Sequence, residues 1–412
     1  MHEDIFAGWP CLTRDFAGIG GEIKVHPDDF RVDEIPAYMP CGEGTHVFVR
    51  AEKRGMTTPA ATGRLAKILG INPADVGYAG LKDARAVTTQ YFSMEHVDEK
   101  KLCGYDDGQL KVVSISRHGN KLKTGHLLGN RFVIRIRGVS REQLGNARAI
   151  FDVLCRRGVP NYFGVQRFGA RRDTHLLGEA LVRDDRDGFL KKFLGSPQAG
   201  DFCDMQAARD SFDAGCLDRA LKLWPRQFED QRKALLMFRK TGRPGLAIGA
   251  VDKRMKRLYI SAFQSAVFND ILAMRIDGID TLLAGDMACK SDTGGIFYVE
   301  NPADEQPRAD RYEISPTGMV PGYRSNFAVG RQGEIEHEVL SRRGVELDMF
   351  KNLGPLKAKG TRRILRYCLH EPDIDAGSDG NGTFIEVRFC APAGCYATSL
   401  LREMMKTEIE GE

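Results

Sequence analysis

The stretch best equipped for chemistry is Gly77-Tyr78-Ala79-Gly80-Leu81-Lys82-Asp83-Ala84-Arg85, where one acid stands between two bases on a glycine-bearing turn. Gly77 and Gly80 are expected to permit positive φ and the close approach of a second backbone or a ligand. A β-branched and aromatic run, Val87-Thr88-Thr89-Gln90-Tyr91-Phe92, follows. This predicts Asp83 in a loop at a strand end, where rigid scaffolds present reactive groups. One carboxylate suits nucleophilic attack or proton transfer. On its own, an Asp among charged neighbours is more often a solvated turn residue, so the rest of the chain must decide.

Several elements are placed to surround it. Ile23 to Pro36 forms two extended pieces about Pro27-Asp28-Asp29. Period-two alternation sets Phe30, Val32 and Glu34 on one face. A Glu on an apolar face is either at a sheet edge or buried and paired, and the edge is the expectation. Thr57-Thr58-Pro59 caps a helix that ends at Gly70. From Arg117 to Arg137 the chain is basic, with Phe132, Ile134 and Ile136 on one strand face and Arg131, Arg135 and Arg137 on the other. That second face is a solvated basic surface or one that tracks phosphates. Ser140 and Gln143 form a capping box for a helix ending at Gly158. The segment from Val159 to Gly169 mixes Tyr162, Phe163, Arg167 and Phe168, which suits base stacking or a hinge. Charged helices and a Gly/Pro-punctuated stretch then run from about 170 to 360 and suggest an inserted α/β domain. Lys357, Lys359, Arg362, Arg363 and Arg366 make a second basic cluster, and Thr398 to Lys406 is a closing helix.

Composition bounds the function. With 412 residues, 42% hydrophobic and 28% charged, the chain exceeds one ordinary core, and two domains are expected. The net charge of +4 and a pI near 8.4 are only mildly basic, so any polyanion site must be a local patch. Ten scattered cysteines without a CxxC pair argue against a zinc site or a disulfide framework. Met1-His2-Glu3-Asp4 carries acids where a secretion signal carries bases, and no apolar run approaches the ~18 residues of a membrane span. A cytoplasmic protein is expected. Dinucleotide, Walker, HExxH and GxSxG motifs are absent, and no second acid is tied to Asp83 by spacing.

Five blocks in order now bear on the question: Lys24 to Glu34, Ala79 to Thr88, Gly129-Asn130-Arg131-Phe132, Pro160 to Gly169, and Ala391-Pro392-Ala393-Gly394-Cys395-Tyr396-Ala397-Thr398-Ser399. Together they resemble the TruD family of tRNA pseudouridine synthases over about Lys24 to Glu403. The middle, about 170 to 350, matches only in its placement as an insert. The resemblance implies an α+β fold: a catalytic domain of pseudouridine-synthase type, with a mainly antiparallel sheet and flanking helices, interrupted by an α/β TRUD-type insert. The implied parts are residues 1–159 and 369–412 for the catalytic domain and 160–368 for the insert. It further implies isomerisation of uridine to pseudouridine in tRNA, typically at position 13, with no cofactor, no metal and no obligatory protein partner. Asp83 looks like the catalytic acid. Phe30, Asn130, Phe132 and Tyr396 look like residues lining the uridine, and Lys24 matches a motif position with a substrate-side role. Tyr396 departs from the Phe of some family members, which keeps a stacking face and adds a donor.

The chemistry agrees with that set. The C1′ to N1 bond breaks, the base turns, and C1′ joins C5, which one carboxylate can serve by attack at C1′ or by removing the C2′ proton. A basic partner such as Lys24 or Arg85 within about 6 Å would keep Asp83 ionised. Two rivals remain: the same chemistry on a different RNA, and a non-catalytic RNA-binding protein, against which an intact Asp83 argues.

Overall fold

The computed structural model describes residues 8–407, and the acidic Met1 to Asp4 segment lies outside them. The chain opens with strands β1 (Phe30–Pro36) and β2 (His46–Arg54), helix α1 (Thr58–Leu69), strands β3 (Gly77–Tyr78), β4 (Val87–Glu95), β5 (Leu110–His118) and β6 (Leu127–Arg137), helix α2 (Leu144–Arg157) and strand β7 (Val159–Pro160). Helices α3 (Thr174–Val182), α4 (Arg186–Leu194), α5 (Cys203–Asp213), α6 (Leu217–Leu223), α7 (Glu229–Thr241), α8 (Pro244–Gly249) and α9 (Lys253–Arg275) follow. Next come β8 (Met287–Lys290), β9 (Ile296–Tyr298), α10 (Pro302–Asp310), β10 (Ile314–Val320), α11 (Gly330–Arg342) and β11 (Thr361–Ile364). The chain closes with β12 (Arg366–Tyr367), β13 (His370–Asp379), β14 (Gly382–Pro392) and α12 (Ala397–Met405). No helix among the described residues is long and apolar enough to cross a membrane.

The chain divides into two compact units, one formed by 11–160 with 367–407 and the other by 8–10 with 161–366. In the first, the strands stand in the order β13-β14-β6-β1-β4-β2-β5, with β3 on β4. Only the β1–β4 pair is parallel. Helix α1 forms where expected: the Thr57 hydroxyl accepts from the Ala60 N–H at 3.2 Å, and Gly70 closes it at φ 74°. Its Ala61, Leu65 and Leu69 meet Val47, Val49, Phe92 and Met94 in one buried cluster. Capping-box residues Ser140 and Gln143 lead into α2 as the sequence predicts.

The other unit begins with a block of helices, whose cluster includes Phe189, Phe193, Trp224 and Leu235. Helix α9 buries residues on every side, including Ile260, Phe263, Val267 and Ile271. The strands of this unit form the sheet β11-β10-β8-β9, antiparallel throughout. An α/β order is the expectation for this segment; the structure places α3 to α9 first and then an antiparallel sheet with α10 and α11 between its strands.

Four expectations are corrected. Glu34 is not at an edge, because β1 lies between β6 and β4, and the residue is 6% exposed. The β6 arginines do not form an open phosphate-tracking face. Carboxylates already match them: Arg137 binds Asp29 and Asp379, Arg135 binds Glu386 at 2.7 Å, and Arg131 binds Glu371 at 2.6 Å. The aromatics after Val159 pack inward, with Tyr162 stacked on Trp9 at 6.0 Å and Phe168 fully buried, so base stacking by that pair has no free face. The second basic cluster is also largely consumed: Arg362 pairs with buried Glu336, Arg363 lies 4.2 Å over Phe163, and Arg366 donates to the Ala309 carbonyl at 2.7 Å. Lys357 and Lys359 remain exposed.

Candidate active site

Asp83 sits in the loop between β3 and β4, and main-chain and side-chain hydrogen bonds hold that loop along its length. Gly125 N–H donates to the Ala79 carbonyl at 2.8 Å, the Gln90 amide to the Gly80 carbonyl at 3.3 Å, and Lys82 N–H to the Thr58 hydroxyl at 3.0 Å. Arg85 N–H donates to Asp83 Oδ1 at 2.8 Å, the Asx turn that short acidic side chains favour. Neither loop glycine adopts positive φ. Gly77 is needed for close approach instead, since a Cβ there would stand 2.4 Å from the Leu122 carbonyl oxygen.

Lys24 supplies the counter-charge, its ammonium forming an ion pair with Asp83 Oδ2. Arg85 contributes only its main chain, and its side chain is exposed. Lys24 is held in the left-handed region, at φ 58°, a conformation that costs a non-glycine residue roughly 1 kcal/mol. Its ammonium also lies 4.5 Å from the centroid of the Phe30 ring. The side chain is buried, 8% exposed.

A second acid–lysine pair stands beside the first. Glu34 and Lys82 approach to 3.2 Å, and Lys82 Nζ also donates to Asn130 Oδ1 at 2.5 Å. The register explains why a Glu is buried here. The parallel β1–β4 pairing runs through Asp33 and Thr89, and beyond it Glu34 Oε1 accepts the Tyr91 N–H at 3.2 Å. Burial pushes the Glu34 carboxyl up and the Lys82 ammonium down, and the pair's mutual attraction opposes both shifts. The Glu34 side chain is 1% exposed and that of Asp83 11%, so Asp83 is the acid that a substrate can reach.

Sheet register gathers the remaining residues. On β6, Asn130 faces Glu34 of β1 and Ala391 of β14, while Phe132 faces Val32 and Phe389. Phe132 stacks on Phe389 at 5.1 Å and 24°, and meets the Phe30 ring edge-on at 6.4 Å and 77°. Phe30, Asn130 and Phe132 therefore fall along one face of the paired strands β1 and β6, and the Lys24 ammonium links Phe30 to Asp83. Tyr396 lies at the start of α12, in the turn after β14, with its carbonyl accepting from the Tyr367 hydroxyl at 2.9 Å. Because Lys82 has only donors to offer, the Asn130 atom facing it is the oxygen, which leaves the amide N–H groups outward as donors.

Sequence reasoning missed two residues. Phe389 continues the aromatic wall, and only its place in an alternating strand pointed inward. Lys53 is fully buried and donates to the carbonyls of Met56 at 2.7 Å and Asp83 at 2.8 Å. No local motif marks it.

Comparison with known proteins identifies the family. The family model for tRNA pseudouridine synthase D (TruD) matches residues 7–404. The chain is similar to tRNA pseudouridine synthase D of Geobacter sp. strain M21, 42% identical over 96% of this chain and 99% of that one. It is 42% identical to tRNA pseudouridine synthase D of Geobacter metallireducens over 96% of this chain and 97% of the other. The crystal structure of a candidate tRNA pseudouridine synthase D from Methanosarcina mazei superposes with a TM-score of 0.86 at 29% identity, covering 97% of this chain and 96% of that one.

Proposed function

The chain belongs to the TruD family of tRNA pseudouridine synthases, and on that premise we propose that Asp83 is the carboxylate that isomerises uridine to pseudouridine, at position 13 of tRNA. The observation that carries the assignment is the placement of Asp83: a loop carboxylate held by Arg85 N–H, paired with Lys24 over Phe30, and more open than the neighbouring Glu34.

The reaction is an isomerisation and needs no net change of atoms. Asp83 attacks C1′ or removes the C2′ proton, the C1′–N1 bond breaks, and the detached uracil turns to offer C5. As C1′ joins C5, the proton leaving C5 is balanced by the one gained at N1. Phe30 and Phe132 wall the site, and Phe132 stays 7% exposed. The outward N–H groups of Asn130 match a uracil carbonyl, and Lys24 neutralises the charge of Asp83. Tyr396 supplies a further flat face from the turn after β14. In this reading the enzyme works in the cytoplasm without a cofactor or protein partner, and the unit at 161–366 is the family's insert.

Asp83→Asn on a tRNA transcript tests the assignment. Pseudouridine formation falls by on the order of 10³-fold or more, while tRNA affinity is retained. Undiminished turnover overturns it, and mapping of modified uridines in cellular tRNA with and without the protein tests the position.

A further inference from the structure

We propose that Lys53 is a positioning residue for this reaction: its buried ammonium, by gripping main-chain carbonyls of the β2–α1 connection and of the reactive loop, fixes where the Asp83 carboxylate stands. The inference rests on the reading that Asp83 is the reacting group.

Lys53 is the next-to-last residue of β2 and is 0% exposed. A lysine ammonium loses its hydration there, and an apolar side chain of the same length would fill the space at less cost. No carboxylate lies within ion-pair distance of it among the described residues. Its three donors instead meet three main-chain oxygens: Met56 at 2.7 Å, Asp83 at 2.8 Å and Lys82 at 3.4 Å. The contact is therefore made to the backbone of Asp83 and leaves the carboxylate to Lys24 and the substrate. It ties the reactive loop to the rigid end of β2, and a misplacement of about 1 Å at a reacting group costs on the order of 10²-fold in rate.

The electrostatics agree. Burial lowers the Lys53 ammonium to about 8, with the Asp83 charge opposing and the Lys82 charge adding to the shift. Its sheet neighbours, Thr88 on β4 and Leu110 on β5, carry no charge, nor does Met56. As pH rises through about 8 the amine keeps two N–H groups for three carbonyls and turns a lone pair toward one of them. The rate of the chemical step should fall there. Stability moves the other way: the unfolded lysine holds its proton to about 10.4, so in the window from about 8 upward the unfolded chain binds more protons, and this group's linkage raises stability with pH.

The test compares wild type, Lys53→Met and Asp83→Asn as full chains in single-turnover pseudouridylation of a tRNA transcript across pH 6.5 to 9.5 (roughly spanning the lysine's shifted range). For Lys53→Met we expect native circular dichroism, a tRNA Kd within about twofold of wild type, and a rate at saturating tRNA lower by roughly 10²-fold. The wild-type rate should fall with a midpoint near pH 8, and that alkaline limb should vanish in the variant. A wild-type rate in Lys53→Met, or a loss confined to tRNA affinity, overturns the proposal. So does a wild-type rate that stays flat through the alkaline range, a result that needs no variant to fold. An active Asp83→Asn would instead remove the premise, whereas an inactive Asp83→Asn beside a fully active Lys53→Met removes Lys53 alone.

Discussion

Strand β6 carries a buried charge cluster at each end, and the two are built differently. At its C-terminal end Arg137 spends every guanidinium nitrogen: Nε on Asp29 at 2.8 Å, Nη1 on Asp379 at 3.0 Å and Nη2 on both acids. Asp29 is 0% exposed. At the other end two lysines share two acids and an amide, and the Asn130 N–H groups have no partner among the described residues. The first cluster is saturated and serves the fold. The second keeps hydrogen-bonding capacity for a ligand, at a site where burial shifts Glu34, Lys82 and Lys53 together.

Removing one member of each cluster sharpens the contrast. Arg137→Ala strands the Asp29 carboxylate in the interior and is expected to cost about 3–5 kcal/mol in chemical denaturation, with the turnover of the folded fraction unchanged. A large rate loss in the folded fraction would break the distinction. Acid titration gives a second handle, since Arg137 holds Asp379 down to about 2. A lowered carboxyl stabilises the fold above its unfolded pKa, so that contribution fades as pH drops from about 4 to about 2, and Arg137→Ala should lose this slope. Next in size is Glu34→Gln, which keeps an acceptor for Tyr91 and Lys82 but removes the charge. We expect about 2 kcal/mol of destabilisation and roughly a tenfold rate loss through a misplaced Asn130. Smallest is Arg131→Ala on the exposed Glu371 pair, expected within about 0.5 kcal/mol of wild type by thermal unfolding.

The same comparison shows what was legible in the sequence. Local signals carried through: the loop placement of Asp83, the alternation of Phe30, Val32 and Glu34, the alternation of β6, and the caps of α1 and α2. Partnerships between distant residues did not. The burial of Glu34 depends on Lys82 and on the parting of β1 from β4, neither of which alternation encodes. The three β6 arginines look open to phosphate until β13 and β14 bring Glu371, Asp379 and Glu386 against them. By sequence Arg85, two residues from Asp83, is as good a counter-charge as Lys24, yet only the left-handed turn at Lys24 delivers an ammonium to the carboxylate. Lys53 lies beyond any motif because its partners are main-chain oxygens, whose positions no side-chain pattern records.

The most direct test of the account sets Asp83→Asn beside Arg137→Ala, measuring pseudouridine formed per folded enzyme and the unfolding midpoint of each. Asp83→Asn is expected to keep a near wild-type midpoint and to lose turnover by on the order of 10³-fold or more. Turnover by folded Asp83→Asn at the wild-type rate would contradict it.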